Sequence, residues 1–303
     1  MRSIRVTAKA LTDVRWFVVL AAIWLIMPAG SAPDPQTSAF HFAILGDRTG
    51  EAQPGVYEQV WREVAAEDPA FVVSVGDTIQ GGDDTSADSE WRQVEQILAL
   101  YRRYPLYLAP GNHDIWSEYS EGAFRKHTGR APHFSFDYGP AHFTILDNSR
   151  SEQVSAAELA FLESDLEAHK AQPVKFIVSH RPSWLFDVLF KNSKFTLHQL
   201  AKKYGVRYVI AGHLHEALHS DLDGVSYLSV GSSGGHLRGS EKYEDGWFFG
   251  HTRADVRGQE VVFRIEELKP PDGQGRITSP NDWDIARLAQ KGLARGAAAG
   301  APK

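Results

Sequence analysis

Five groups of polar residues stand directly after apolar runs. FAIL is followed by Gly46-Asp47, VVSV by Gly76-Asp77, LYLAP by Gly111-Asn112-His113-Asp114, FIVS by His180, and YVIA by Gly212-His213-Leu214-His215. Carboxylate, carboxamide and imidazole are nitrogen and oxygen donors that suit Mn, Fe, Zn, Ni or Co better than Ca. One carboxylate can bridge two ions, and an Asn carbonyl and imidazoles can complete their shells. Any one of these groups alone reads as a turn, a helix cap or a hydrogen-bonded histidine. Five of them in the same context argue for one site.

The elements that must position these residues alternate. Strands are expected at 40–45, 71–75, 106–109, 174–180 and 206–213. Helices are expected at 54–66, 89–101, 155–171 and 196–204. Residues 133–139 and 141–147 read as an antiparallel pair around Gly139-Pro140. Residues 225–230, 248–256 and 260–268 read as further antiparallel strands. Strand–helix alternation implies a parallel sheet covered on both faces, and the late strands add antiparallel pairs. The expected fold is one α/β domain, roughly 36–269, with two mixed β-sheets packed as a sandwich and flanked by helices. In such sheets ligands bind at the carboxyl ends of the strands, where all five groups fall.

Composition narrows the chemistry. The 303 residues include no cysteine, which excludes disulfides, thiolate metal sites and cysteine nucleophiles, and 13 histidines. The net charge is −6. An acidic chain without a long basic stretch does not favour nucleic acid as a partner. No serine stands in a G-x-S-x-G context, so serine-hydrolase chemistry is set aside.

The order Asp, GD, GNHD, a lone His after a strand, then GHxH resembles the signature of the calcineurin-like metallophosphoesterases. The resemblance covers about 40–215 by motif. It implies two metal ions of the Mn, Fe, Zn or Ni type. Asp77 would bridge them, Asp47 and His215 would hold the first, and Asn112, His180 and His213 the second. His113 would act on the substrate phosphate as a general acid or electrostatic stabiliser, with Asp114 orienting it from behind. The activity implied is hydrolysis of phosphate mono- or diesters by a hydroxide bridging the two ions. The partner would be a small phosphate ester or a phosphorylated substrate.

One departure bears on this. The family's first motif is usually Asp-x-His, but here it is Asp47-Arg48-Thr49. The purple acid phosphatase branch uses a Tyr three residues after the bridging Asp, where this chain has Gln80. The first site is therefore expected to be weaker, or filled by water or Gln80, and a one-metal enzyme stays open. So does a degenerate member that binds a phosphorylated ligand or partner without turnover. Arg48 stands ready to pair with an acidic neighbour or to meet a phosphate. The run Gly231–His236 is either a glycine-rich turn or a set of backbone N–H groups for phosphate. The apolar stretch 183–190 either packs on the domain or walls the site. Asp83, Asp84 and Asp88 read as a solvated acidic loop.

The ends of the chain carry other signals. Four basic residues precede a 12-residue apolar run, Trp16–Met27, followed by Pro28 and small residues. This reads as a signal peptide over 1–31, or an uncleaved anchor, and so as an exported protein, periplasmic or extracellular. Membrane contact is expected only if that segment stays uncleaved. Its removal would leave a net charge of −9. Residues 270–303 read as a flexible linker and an Ala/Gly-rich tail.

Overall fold

In the computed structural model, which describes residues 39–270 and 273–290, β1 (Ala39–Leu45) sends Phe42 and Ile44 into one core and Ala43 and Leu45 into another. A period of two with apolar residues on both faces is what a strand buried between layers requires. The chain continues through α1 (Val56–Glu67), β2 (Val72–Ser74), α2 (Asp84–Leu98), β3 (Leu106–Leu108) and α3 (Glu118–Thr128). A hairpin of β4 (Phe134–Tyr138) and β5 (Ala141–Ile145) follows, then α4 (Ala156–Ala168), β6 (Val174–Val178), α5 (Leu185–Leu189) and α6 (Thr196–Tyr204). Next come β7 (Tyr208–Ala211), β8 (Leu218–Leu222), β9 (Val225–Ser229), β10 (Gly250–Arg257), β11 (Glu260–Glu267) and β12 (Ile277–Thr278).

Two six-stranded mixed sheets result, as expected. Their orders are β12-β11-β10-β1-β2-β3 and β4-β5-β6-β7-β9-β8. β1, β2 and β3 run parallel, as do β5, β6, β7 and β9, so each set delivers its carboxyl ends to one edge. Between the sheets lies an aromatic core. Phe42 stacks on Phe71 at 5.0 Å and Phe143 on Phe176 at 4.5 Å. Burying such rings contributes several kcal/mol each in transfer terms. Outside the first sheet, α1 packs Tyr57, Val60, Trp61 and Val64 against Ala43 and Leu45. Outside the second, α4 and α6 pack Leu162, Leu166, Leu197 and Leu200 against Ile177 and Val209.

Several expectations are corrected. α2 starts at Asp84, five residues early, because the Asp83 side chain accepts Thr85 N–H at 2.9 Å and caps it. Asp84 accepts the Ser117 hydroxyl at 2.6 Å and Asp88 pairs with Lys126 at 2.8 Å, so this is a capped helix start rather than a loose acidic loop. α3 was not foreseen, although Ser117 and Ser120 form a capping box and Gly129 ends it with φ 69°. β8 was also missed. Within 183–190, Trp184 just before α5 and Val188 on it are buried, and Phe186 and Phe190 stay exposed.

The domain does not end at 269. β12 pairs with β11 in the segment read as linker, and Trp283 is buried with its indole N–H on the Thr278 hydroxyl at 2.9 Å. The apolar side chains of this segment dock where the sheet edge would otherwise stay open. The expected signal peptide, 1–31, and the tail 291–303 lie outside the described residues. Among the described residues no helix is long and apolar enough to cross a membrane.

Candidate active site

The loops after β1, β2, β3, β6 and β7 meet at one edge, where both sheets bring their carboxyl ends. Asp77, His213 and His215 adopt left-handed backbone with φ of 53°, 69° and 62°. Non-glycine residues hold such angles only where their surroundings fix them, often at functional sites. Arg48 N and Thr49 N donate to the Asp77 carbonyl at 3.1 and 3.0 Å, locking the first two loops together. His213 N donates to both Asp47 oxygens at 2.9 and 3.1 Å, which ties the fifth loop to the first.

The expected second-ion residues converge. Ligand atoms of Asp77, His180 and His213 lie within 4.8 Å of one another. His180 Nε2 is 3.1 Å from Asn112 Oδ1, 3.1 Å from His213 Nδ1 and 3.2 Å from Asp77 Oδ2. His180 Nδ1 sits 2.9 Å from the Val75 carbonyl and donates its proton there. That leaves Nε2 as the donor atom facing the cluster, the usual arrangement behind a metal-binding imidazole.

The first-ion residues converge as well. His215 Nε2 lies 3.2 Å from Asp47 Oδ2, with both side chains wholly buried. Its Nδ1 donates to the His236 carbonyl at 2.6 Å. Buried polar atoms rarely lack a partner. Here Asp77 Oδ2 and His215 Nε2 are buried without a hydrogen bond, one for each expected ion. Two orphaned donors in an Asp/Asn/His cage fit bound cations of the borderline type.

The electrostatics agree. Burial opposes ionisation of Asp77, but the His180 imidazole and the His113 region outweigh it and hold the carboxyl well below its usual range. Burial likewise opposes charge on His180, yet Asp77 pushes it up to about 9. Burial, His180 and Arg181 push His213 down to about 4. The buried carboxylates thus favour positive charge at His180 against desolvation, and a bound cation would supply that charge in place of the proton while both imidazoles ligate as neutral rings.

His113 and Asp114 divide differently from expectation. The His113 Nδ1–H donates to the Gln80 carbonyl, and its backbone N–H donates to Asp77 Oδ1 at 2.9 Å. Asp114 does not touch that ring. Its Oδ1 accepts Thr78 N at 2.8 Å and Ile79 N at 3.1 Å, and its Oδ2 accepts Gly111 N at 2.9 Å. Burial, reinforced by Asp77, raises the Asp114 carboxyl above its ordinary value. Asp114 is a clamp on the loops that carry Asp77 and Asn112, because three buried amides outcompete a solvent-facing ring for its oxygens.

Other residues also resolve. Arg48 donates to the Thr78 carbonyl at 2.9 Å and lies 5.7 Å from the Tyr57 ring centre, and among the described residues it pairs with no acid. The Gly231–His236 run is not a phosphate nest. Ser233 N and Gly235 N donate to the Asp47 carbonyl at 3.0 and 3.1 Å, and His236 N to Gly50 at 3.1 Å. Those amides brace the Asp47 loop instead. Beside His113 opens a pocket of about 430 Å³ that also includes Gln80, His236, Glu51 and Arg238. Sequence reasoning passed over Glu51 and Arg238, since nothing near either residue marks it.

Known proteins place this geometry. Residues 40–217 match the family model described as calcineurin-like phosphoesterase. A 3',5'-cyclic adenosine monophosphate phosphodiesterase CpdA of Escherichia coli K12 is 26% identical over 203 residues, covering 64% of this chain and 70% of that protein. Its namesake in Haemophilus influenzae is 23% identical over 186 residues, covering 57% of this chain and 65% of that protein. The chain thus spans about two thirds of the length of these relatives. The yellow lupin purple acid phosphatase PPD1 shares the fold at TM-score 0.58 and 18% identity, over 84% of this chain and 56% of that one. The Plasmodium protein GAP50 does so at TM-score 0.53 and 16% identity, over 84% and 94%. With the motif residues gathered at one sheet edge and more than half its length matched, this chain belongs to the calcineurin-like phosphoesterase family.

Proposed function

We propose that the chain hydrolyses phosphate esters at this edge, with two bound cations. The observation that carries the reading is the pair of buried ligand atoms without a hydrogen bond, Asp77 Oδ2 and His215 Nε2, inside a cage of the family's ligand residues. Asp77, Asn112, His180 and His213 would hold one ion, and Asp47, Asp77 and His215 the other. When bound, such ions lower the pKa of a water and neutralise charge on the phosphoryl oxygens. The chain's own part is to hold and move a proton. With Nδ1–H fixed on the Gln80 carbonyl, Nε2 of His113 is the atom that carries a proton to the leaving oxygen. Backbone N–H groups of His113 and His213 hold the Asp77 and Asp47 carboxylates in aim.

The substrate is a small phosphate ester or a phosphorylated molecule. The relatives' names make 3',5'-cyclic AMP one compound for the panel. The full chain would be stripped of metal, reloaded with Mn, Fe, Zn or Ni, and assayed on aromatic mono- and diesters and on 3',5'-cyclic AMP. Turnover should return with metal and vanish in Asp77→Asn. His113→Ala should lower kcat about 10²- to 10⁴-fold with metal content kept. No turnover on any ester, with metal still bound, would leave the ligand-binding reading in its place.

Export belongs to the same proposal and rests on the basic and apolar N-terminal segment. Mass spectrometry of the cellular protein's N-terminus tests it. A start within a few residues of position 32 supports cleavage, and a start at Met1 in a soluble fraction refutes it.

A further inference from the structure

Arg238 lies in the pocket beside His113, and the proton-transfer scheme does not use it. It is exposed, and among the described residues nothing hydrogen-bonds or ion-pairs with its guanidinium. Its place is nevertheless built. His236 N donates to the Gly50 carbonyl at 3.1 Å, which lays this strand of chain along the loop after Asp47. Gly239 packs so closely under Trp247 that a Cβ there would stand 2.3 Å from the indole. Between these anchors, Arg238 turns toward the site. A Cβ added at Gly50 would lie 2.6 Å from Arg238 Nη2 and 3.0 Å from His215 Cε1. The guanidinium and the ring edge of a first-ion ligand therefore close together on the Gly50 Cα, in a gap too small for a methyl group. Gly50, at φ +81°, has no side chain to hold them apart.

Three protein residues, Asp47, Asp77 and His215, face the first-ion site, and Thr49 adds no imidazole to them. We propose that Arg238 occupies this side of the site as a substrate-binding residue that grips a terminal phosphate, so that the preferred substrates are phosphomonoesters; this rests on the hydrolase reading. A guanidinium presents two parallel N–H groups to two phosphate oxygens. A monoester offers three oxygens outside the ester bond and close to two negative charges near neutral pH. A diester offers two such oxygens and one charge. The additional oxygen and charge are what a cationic side chain beyond the metal ligands rewards. Glu51 lines the same pocket and opposes an anion, so the pocket's affinity can be moved in both directions.

The test uses the full chain and inorganic phosphate as the probe. Arg238→Gln should weaken phosphate binding by calorimetry about 10- to 100-fold, with metal content unchanged. It should raise KM for an aromatic monoester by a similar factor and for the matching diester by less than about 5-fold. Arg238→Lys should recover part of the loss, and Glu51→Gln should tighten phosphate. Unchanged phosphate affinity in Arg238→Gln, or equal losses on both esters, would overturn the proposal. A wild-type chain that turns over neither ester but binds phosphate through Arg238 would sink the hydrolase reading and leave the contact standing.

Discussion

The Thr49 hydroxyl donates to the Gln80 side-chain oxygen across 2.6 Å, and the same oxygen accepts the Glu51 amide at 3.1 Å. The two side chains that could replace the missing imidazole are spent on one another. Three protein residues are left for the first ion and four for the second. Metal should therefore load in two steps, the second at least about 10-fold weaker than the first. Calorimetric titration checks this. Asp47→Asn should erase the weaker step alone, and Asn112→Ala should weaken the tighter one. A single step of two equal ions would contradict the count.

The three amides on Asp114 predict a structural phenotype. Asp114→Ala strands Thr78 N, Ile79 N and Gly111 N in a site with no exposure. Each buried unsatisfied donor costs about 1–3 kcal/mol, so the loss should reach about 3 kcal/mol or more. In a domain of this size that lowers Tm by roughly 6–12 °C. Metal content should fall too, because the Asp77 loop loses its clamp. An unchanged Tm with a lowered kcat would restore Asp114 to a role behind His113.

Close packing behind the first ion predicts a second loss. A Cβ at Gly235 would stand 2.0 Å from the Thr49 carbonyl and 2.5 Å from His215 Cε1. Both distances are far inside van der Waals contact, and the Thr49 atom is backbone that cannot swing away. Gly235→Ala should cost about 1–3 kcal/mol and displace the His215 ring. The weaker metal step should go while the tighter one stays, with the folded circular dichroism spectrum retained. Equal weakening of both steps would mean the strain spreads past His215.

The ligand set was legible because each member follows an apolar strand, and parallel strands carry their ends to one edge whatever lies between. The roles of Asp114 and the Gly231–His236 run were not. Both depend on backbone amides, which every residue has and no sequence marks. Arg238 was hidden for another reason: it sits 188 positions from Gly50, and only the folded chain brings its segment back, with His236 N on the Gly50 carbonyl. α3 carried a readable cap, Ser117 with Ser120, but its mixed polar sequence lacks the apolar period that would draw attention to it.

A network far from the metal cage gives the pH dependence. His142 is fully buried on β5, with Nδ1 2.7 Å from Asp137 and Nε2 2.9 Å from Asp165. Asp165 also accepts the Ser135 and Thr144 hydroxyls at 2.7 and 2.6 Å, and His169 stacks on the imidazole at 4.0 Å. Burial opposes the charge on His142, but the two carboxylates outweigh it and raise its pKa above 6.5. Burial likewise opposes charge on Asp165, and its partners hold its carboxyl below 3.8. A raised histidine contributes stability that is complete below its unfolded value and lost as pH rises through the folded one. A lowered aspartate contributes stability lost as pH falls through its folded value. Between these limits the ion pairs tie α4 to β4 and β5. Stability should therefore be highest near pH 5–6 for this network and decline as pH rises above about 6.5. His142→Gln removes the cation and leaves Asp165 buried, which should cost about 2–3 kcal/mol at pH 5.5. The variant should also show little further decline between pH 6.5 and 9. Denaturant unfolding at fixed metal concentration across this range measures both effects. A wild-type and variant decline of equal slope would show that some other group carries the titration.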